Sequence, residues 1–175
     1  MLLEGDSLRN RSAKHIALGG LLAAMAVVIM SLGGIIPFAT YVCCVLCMVL
    51  GRIVLGISGR RMAWTWYAAV SFLSIILGPD KEAAALYVFI GYYPIIKVWF
   101  ERFKISIVFK LGYFNATIIL LYWLLMNLFG MTQLAEDFYL LGMIGLVVML
   151  VLGNLTFVLT DILLTMMGKR GHGNR

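Results

Sequence analysis

Hydrophobic residues in this chain come in long continuous runs, broken by short clusters of glycine, proline and charge. The runs cover residues 16–36, 38–55, 62–77, 83–100, 105–129 and 140–167. A helix needs about 20 apolar residues to cross the hydrocarbon core of a bilayer, so the pattern predicts six transmembrane helices. The runs are continuous rather than alternating, which excludes a transmembrane β-barrel. Gly-Ile-Ser-Gly-Arg-Arg at 56–61 is all that separates the second run from the third, so these two predict a tight hairpin. Gly78-Pro79 closes the third run. Pro94 lies inside the fourth, where it removes a backbone hydrogen bond and kinks the helix. Residues 103–110 carry two lysines, so this stretch fits either the start of the fifth span or a segment along the interface. No internal repeat is evident in the sequence, so the inverted-repeat pattern of many secondary transporters is not supported.

Composition sharpens the class. Of 175 residues, 63% are apolar and 13% charged, with a mean hydropathy of +1.00. A soluble domain of this length is nearer a quarter charged, so this chain lacks the polar surface to cover a solvated globule. Disorder is excluded for the same reason. The length predicts a single transmembrane domain, residues 1–175, with cytoplasmic tails of about 1–15 and 168–175. The first run follows Arg9, Arg11 and Lys14 and exceeds the apolar core of a signal peptide, so it reads as a retained helix.

The net charge of +6 is a topology signal rather than a nucleic-acid footprint, because the basic residues sit in bursts between apolar runs. With the N-terminus in the cytoplasm, Arg9, Arg11, Lys14, Arg52, Arg60 and Arg61 lie inside. So do Lys97, Arg102, Lys104, Lys110, Lys169, Arg170 and Arg175, which leaves only Lys81 outside. Both termini are therefore predicted cytoplasmic, in a multi-pass protein of the cell membrane.

Candidate chemistry is sparse. There is no phosphate-binding loop, no HExxH motif and no Ser-His-Asp cluster, so an enzyme is not the expected reading. No cofactor or metal is implied. Cys43, Cys44 and Cys47 fall in one apolar run and read as small core residues. Asn154-Leu155-Thr156 matches a glycosylation sequon, but inside a span it should be inert.

Three features remain. In the first span, Ala13, Ala17, Gly20, Ala24 and Val27 recur at three and four residues, and such faces let helices approach closely. Ala17, Gly20 and Ala24 are either internal packing or a docking face for a separate membrane subunit. Asp161 is the one acid deep in a span; it reads as a structural ion pair with Lys110, Lys97 or Arg52, the alternative being a proton or ion relay. On the outer side, Asp80, Lys81 and Glu82 cap the third and fourth spans, with Tyr87 below them. Tyr122, Asn127 and Glu136 mark the outer ends of the fifth and sixth, and Ser71 and Ser74 line the third. Aromatics with a few polar groups make a small-molecule pocket; the competing reading is an interfacial aromatic belt. Asp80, Lys81, Glu82, Tyr87, Tyr122, Asn127 and Glu136 are the candidate substrate-binding residues, and the balance of acids favours a neutral or cationic ligand. Gly91-Tyr92-Tyr93-Pro94 sits mid-span, and Asn115 and Asn154 are polar groups at depth that can bond across helices.

Six spans, both ends inside, and a small-residue first helix (Ala17-Leu18-Gly19-Gly20-Leu21-Leu22-Ala23-Ala24) resemble the substrate-binding S component of energy-coupling factor transporters. The resemblance implies a non-enzymatic protein that captures a vitamin-like micronutrient from outside. It would work with a membrane coupling subunit and two cytoplasmic ATPases, and the small residues of the first helix would face that coupling subunit. The family covers its substrate with the loop between the first two helices, which here is only residues 31–40. A membrane scaffold without ligand and a self-sufficient ion-coupled carrier using Asp161 are the alternatives.

Overall fold

The computed structural model describes residues 2–33, 39–100, 106–127 and 132–172. Among these the regular structure is helical throughout: α1 (Leu2–Gly33), α2 (Ala39–Leu77), α3 (Lys81–Ile90), α4 (Tyr93–Phe100), α5 (Ser106–Asn127) and α6 (Thr132–His172). Four stretches are long and apolar enough to cross a membrane: Ala13–Gly33, Thr40–Leu77, Ile107–Leu124 and Leu150–Gly168. The chain is thus an all-helical, multi-pass membrane protein. It divides into two compact units, Met1–Ile95 and Ile96–Arg175.

In unit 1, α2 has 39 residues, which as a straight rod would reach about 58 Å, nearly twice the bilayer's apolar thickness of about 30 Å. It is not straight. Gly59 has φ 80° and ψ 179°, a backbone conformation that costs glycine little and a side-chain-bearing residue much. The chain folds back there: a Cβ on Gly51 would stand 3.1 Å from the Trp66 ring, although 15 residues of straight helix cover about 22 Å. Residues 39–58 and 60–77 are therefore the two limbs of a hairpin, the arrangement expected from the short polar break at 56–61.

α1 packs on both limbs. The Trp66 indole Nε1 donates to the Gly19 carbonyl at 3.1 Å, and the Cys47 thiol to the Ala26 carbonyl at 3.5 Å. Ala26, Met30, Cys44, Cys47, Trp66 and Val70 are buried along this seam. All three cysteines are free thiols and buried.

The second limb ends at Leu77, one residue before Gly78-Pro79. Such an end leaves carbonyls without intrahelical partners; the Lys81 ammonium takes one of them, Ile75 O at 2.7 Å, and also Gly78 O just beyond, at 2.9 Å. Asp80 then starts α3 as its N-cap, accepting from Ala83 N at 2.9 Å, and Thr40 Oγ1 donates to the other carboxylate oxygen at 2.8 Å.

The fourth predicted span is two helices rather than one. α3 stops at Ile90 and α4 begins at Tyr93, with Pro94 in its first turn, where the missing N–H is no loss. Gly91 is needed at the join because any Cβ would lie 2.4 Å from Tyr87 O and 2.6 Å from the Tyr87 ring.

Unit 2 pairs α5 with α6. Phe114 stacks on Phe157 at 4.6 Å between ring centroids. Asn115 and Asn154 exchange two amide hydrogen bonds, each 3.0 Å. Residues 106–110 continue the helix of the fifth span instead of forming a separate interfacial segment, and Lys110 is buried.

Candidate functional site

The most polar part of unit 1's interior lies between the second limb of the hairpin and α3. Tyr67, Ser71 and Ser74 recur at four and three residues, so they share one face of that limb. The Tyr67 hydroxyl donates to the Val88 carbonyl of α3. Its ring lies 5.8 Å from Tyr87 and 5.7 Å from Tyr92. Trp64 extends the group, stacking on Tyr92 at 6.2 Å. Tyr87 is fully buried, within electrostatic reach of the Cys44 and Cys47 thiols and of Tyr67. The Ser71 hydroxyl pairs with that of Tyr67.

Two hydroxyls in this region, Ser74 Oγ and Tyr87 Oη, are completely buried and meet no hydrogen-bond partner among the described residues. That is unusual. A serine inside a helix commonly bonds the carbonyl four residues back, as Thr117, Thr156 and Thr160 do in unit 2. A buried polar group left without a partner costs about 1–3 kcal/mol. Two of them inside unit 1 are two directional groups available to something else.

The other candidate binding residues are placed differently. Asp80 is occupied as N-cap and by Thr40, and Lys81 as a cap on the preceding helix. Glu82 is half-buried in the first turn of α3. Tyr122 and Asn127 belong to unit 2; Asn127 is exposed, and its amide donates to Trp123 O of its own helix at 2.8 Å. Glu136 lies on α6, and its side chain is outside the described residues. The loop residues 34–38, the middle of the proposed lid, are also outside them.

Unit 2 holds an ion cluster. Asp161 receives the Lys97 ammonium on one carboxylate oxygen and Lys110, at 2.9 Å, on the other. Lys97 also donates to Asp161 O and to Thr165 Oγ1, the latter at 2.7 Å. The lysine side chains are 5% and 8% exposed and Asp161 15%, so these charges are held largely out of water. Arg52, the third partner considered from sequence, belongs to unit 1.

The small residues of α1 divide between two faces. Gly19 and Ala26 are buried against the hairpin, whereas Ala17, Gly20 and Ala24 are exposed. A Cβ at Gly20 would meet nothing within 4 Å.

No family model matches the chain, and neither a curated protein nor a solved structure matches it. Among the described residues no group of three or more His, Cys, Asp or Glu side chains is placed to hold a metal ion.

Proposed function

We propose that this chain is a substrate-capture subunit of the cell membrane, binding a vitamin-like small molecule and relying on separate coupling and ATPase subunits for uptake. The observation that carries the reading is the pair of buried hydroxyls without partners, Ser74 and Tyr87. Most other buried side-chain polar atoms among the described residues have partners, so these two supply directional contacts of the kind that an apolar pocket uses for recognition. The protein is not an enzyme on this reading, because these groups bind and orient but include no activated nucleophile or acid–base pair. Extraction of the purified protein should release one compound in stoichiometric amount. A folded preparation that carries none, and takes none up from a rich cell extract, contradicts the proposal.

Topology enters as part of the same reading. α1 makes one crossing, the two limbs of α2 make two, α3 with α4 one, and α5 and α6 one each. That totals six and returns the C-terminus to the side of the N-terminus. The basic residues place that side in the cytoplasm. Single cysteines introduced at Asp80 and Arg60, in a background lacking the native three, should react with an impermeant maleimide from outside and inside respectively. Labelling of the Arg60 position from outside overturns the orientation.

The exposed face of α1 at Ala17, Gly20 and Ala24 is where the coupling subunit would dock, because small side chains allow close helix approach. Gly20→Leu is expected to reduce co-purification of a partner by tenfold or more with the melting temperature of the isolated chain unchanged. Lost stability with the partner retained would make this face internal packing.

A further inference from the structure

We infer that unit 1 contains a binding site for an uncharged, hydrogen-bonding small molecule that uses the hydroxyls of Ser74 and Tyr87. Ser74 and Tyr87 are completely buried, and neither hydroxyl has a partner among the described residues. Each hydroxyl can both donate and accept. They are complementary to amide, carbonyl, hydroxyl or ring-nitrogen groups. The Tyr67 and Tyr87 rings supply apolar surface beside them.

The charge of the ligand follows from what surrounds the site. Lys14, Arg60 and Arg61 lie toward the Gly59 tip of the hairpin and are exposed; Arg52 lies on the same end of the first limb. At the opposite end, Asp80 is committed to Thr40 and Ala83, and Lys81 to two backbone carbonyls. Glu82 sits beside them in the first turn of α3, five residues before Tyr87. The titratable groups within electrostatic reach of Tyr87 are two thiols and a phenol, Cys44, Cys47 and Tyr67. A charged ligand placed there would lose its hydration and gain no counter-charge, which makes charge a reason for rejection. This narrows the sequence-based expectation of a neutral or cationic ligand to a neutral one.

The inference rests on the capture reading for its biological role, and its test separates the two. Benzamide, benzoate and benzamidinium share one ring and differ in charge, so they serve as probes. Benzamide should raise the melting temperature of the detergent-solubilised full chain, while the other two at equal concentration should not. Tyr87→Phe and Ser74→Ala should each weaken benzamide at least tenfold. Without probe both variants should melt at or above the wild type, because a costly buried hydroxyl has been removed. No response to benzamide, an equal response to the charged probes, or a response unchanged in both variants overturns the site. A charged compound co-purifying with the protein overturns the uncharged site and leaves capture standing. A benzamide response confined to wild type, with no compound co-purifying, leaves the site and overturns capture.

Discussion

Asp161→Asn should lower the stability of the detergent-solubilised protein by about 3–5 kcal/mol, the range for removing one member of a buried ion pair. The carboxylate is the acceptor that both the Lys97 and Lys110 ammoniums reach. Neutralising it leaves two cations facing each other, each more than nine-tenths buried along its side chain. Asparagine keeps the shape and one acceptor oxygen, so the loss reports charge rather than volume. Combining Asp161→Asn with Lys110→Met should recover part of the loss, because the second change removes the stranded charge. A double-mutant cycle then reads the coupling directly. If instead Asp161→Asn leaves the melting temperature unchanged and abolishes a pH-dependent transport activity, the residue is a relay and the ion-coupled carrier reading gains.

Gly91→Ala should be among the most damaging single methyls in unit 1. The new Cβ would stand 2.4 Å from the Tyr87 carbonyl oxygen and 2.6 to 2.7 Å from two atoms of its ring. Ordinary contact begins near 3.5 Å. The carbonyl cannot retreat, since it accepts from Gly91 N at 2.6 Å, and the ring is fully buried. Overpacking of this kind costs about 1–3 kcal/mol, and a backbone clash belongs at the upper end. The same change at Gly56 or Gly112, where a Cβ meets nothing within 4 Å, should be neutral or stabilising by up to about 1 kcal/mol, since alanine is the better helix former. Thermal melts of the three variants side by side decide the point. A Gly91→Ala protein as stable as Gly56→Ala would mean that the α3–α4 join is looser than described. Because Tyr87 would have to move, Gly91→Ala should also weaken any ligand held at its hydroxyl.

Hydropathy made the helices legible because in lipid a chain satisfies its backbone internally or not at all. The hairpin was legible from 56–61, where Gly56, Ser58 and Gly59 break the apolar run and two arginines follow. The division of the fourth span was only half legible. Pro94 announced a kink, but the break falls at Gly91 and Tyr92, for which the tight contact with Tyr87 is the reason. The assigned topology, which puts Lys97, Lys110 and Arg52 on the inner side, could name all three as partners for Asp161, and the first two pair with it.

The candidate site was less legible. Tyr87 stood out as an aromatic beneath a polar loop, and Ser71 and Ser74 as polar residues in an apolar span. What the sequence did not reveal is that Tyr67 and Trp64 join Tyr87 and Tyr92 in one aromatic group. The four-residue step from Tyr67 to Ser71 was the available signal. Nor can a sequence show which hydroxyls bond their own helix and which stay unpartnered, because a serine rotamer decides that. Asp80 and Lys81 looked like a binding mouth, yet one caps the start of α3 and the other the end of α2. Their charges are used by the backbone first.

Native mass spectrometry of the protein released from detergent, wild type beside Tyr87→Phe, tests the central claim most directly. Capture at the buried hydroxyls predicts a single stoichiometric adduct of constant mass on the wild type, absent or strongly depleted on the variant. A folded wild type without an adduct, or an adduct of equal occupancy on both proteins, would contradict it.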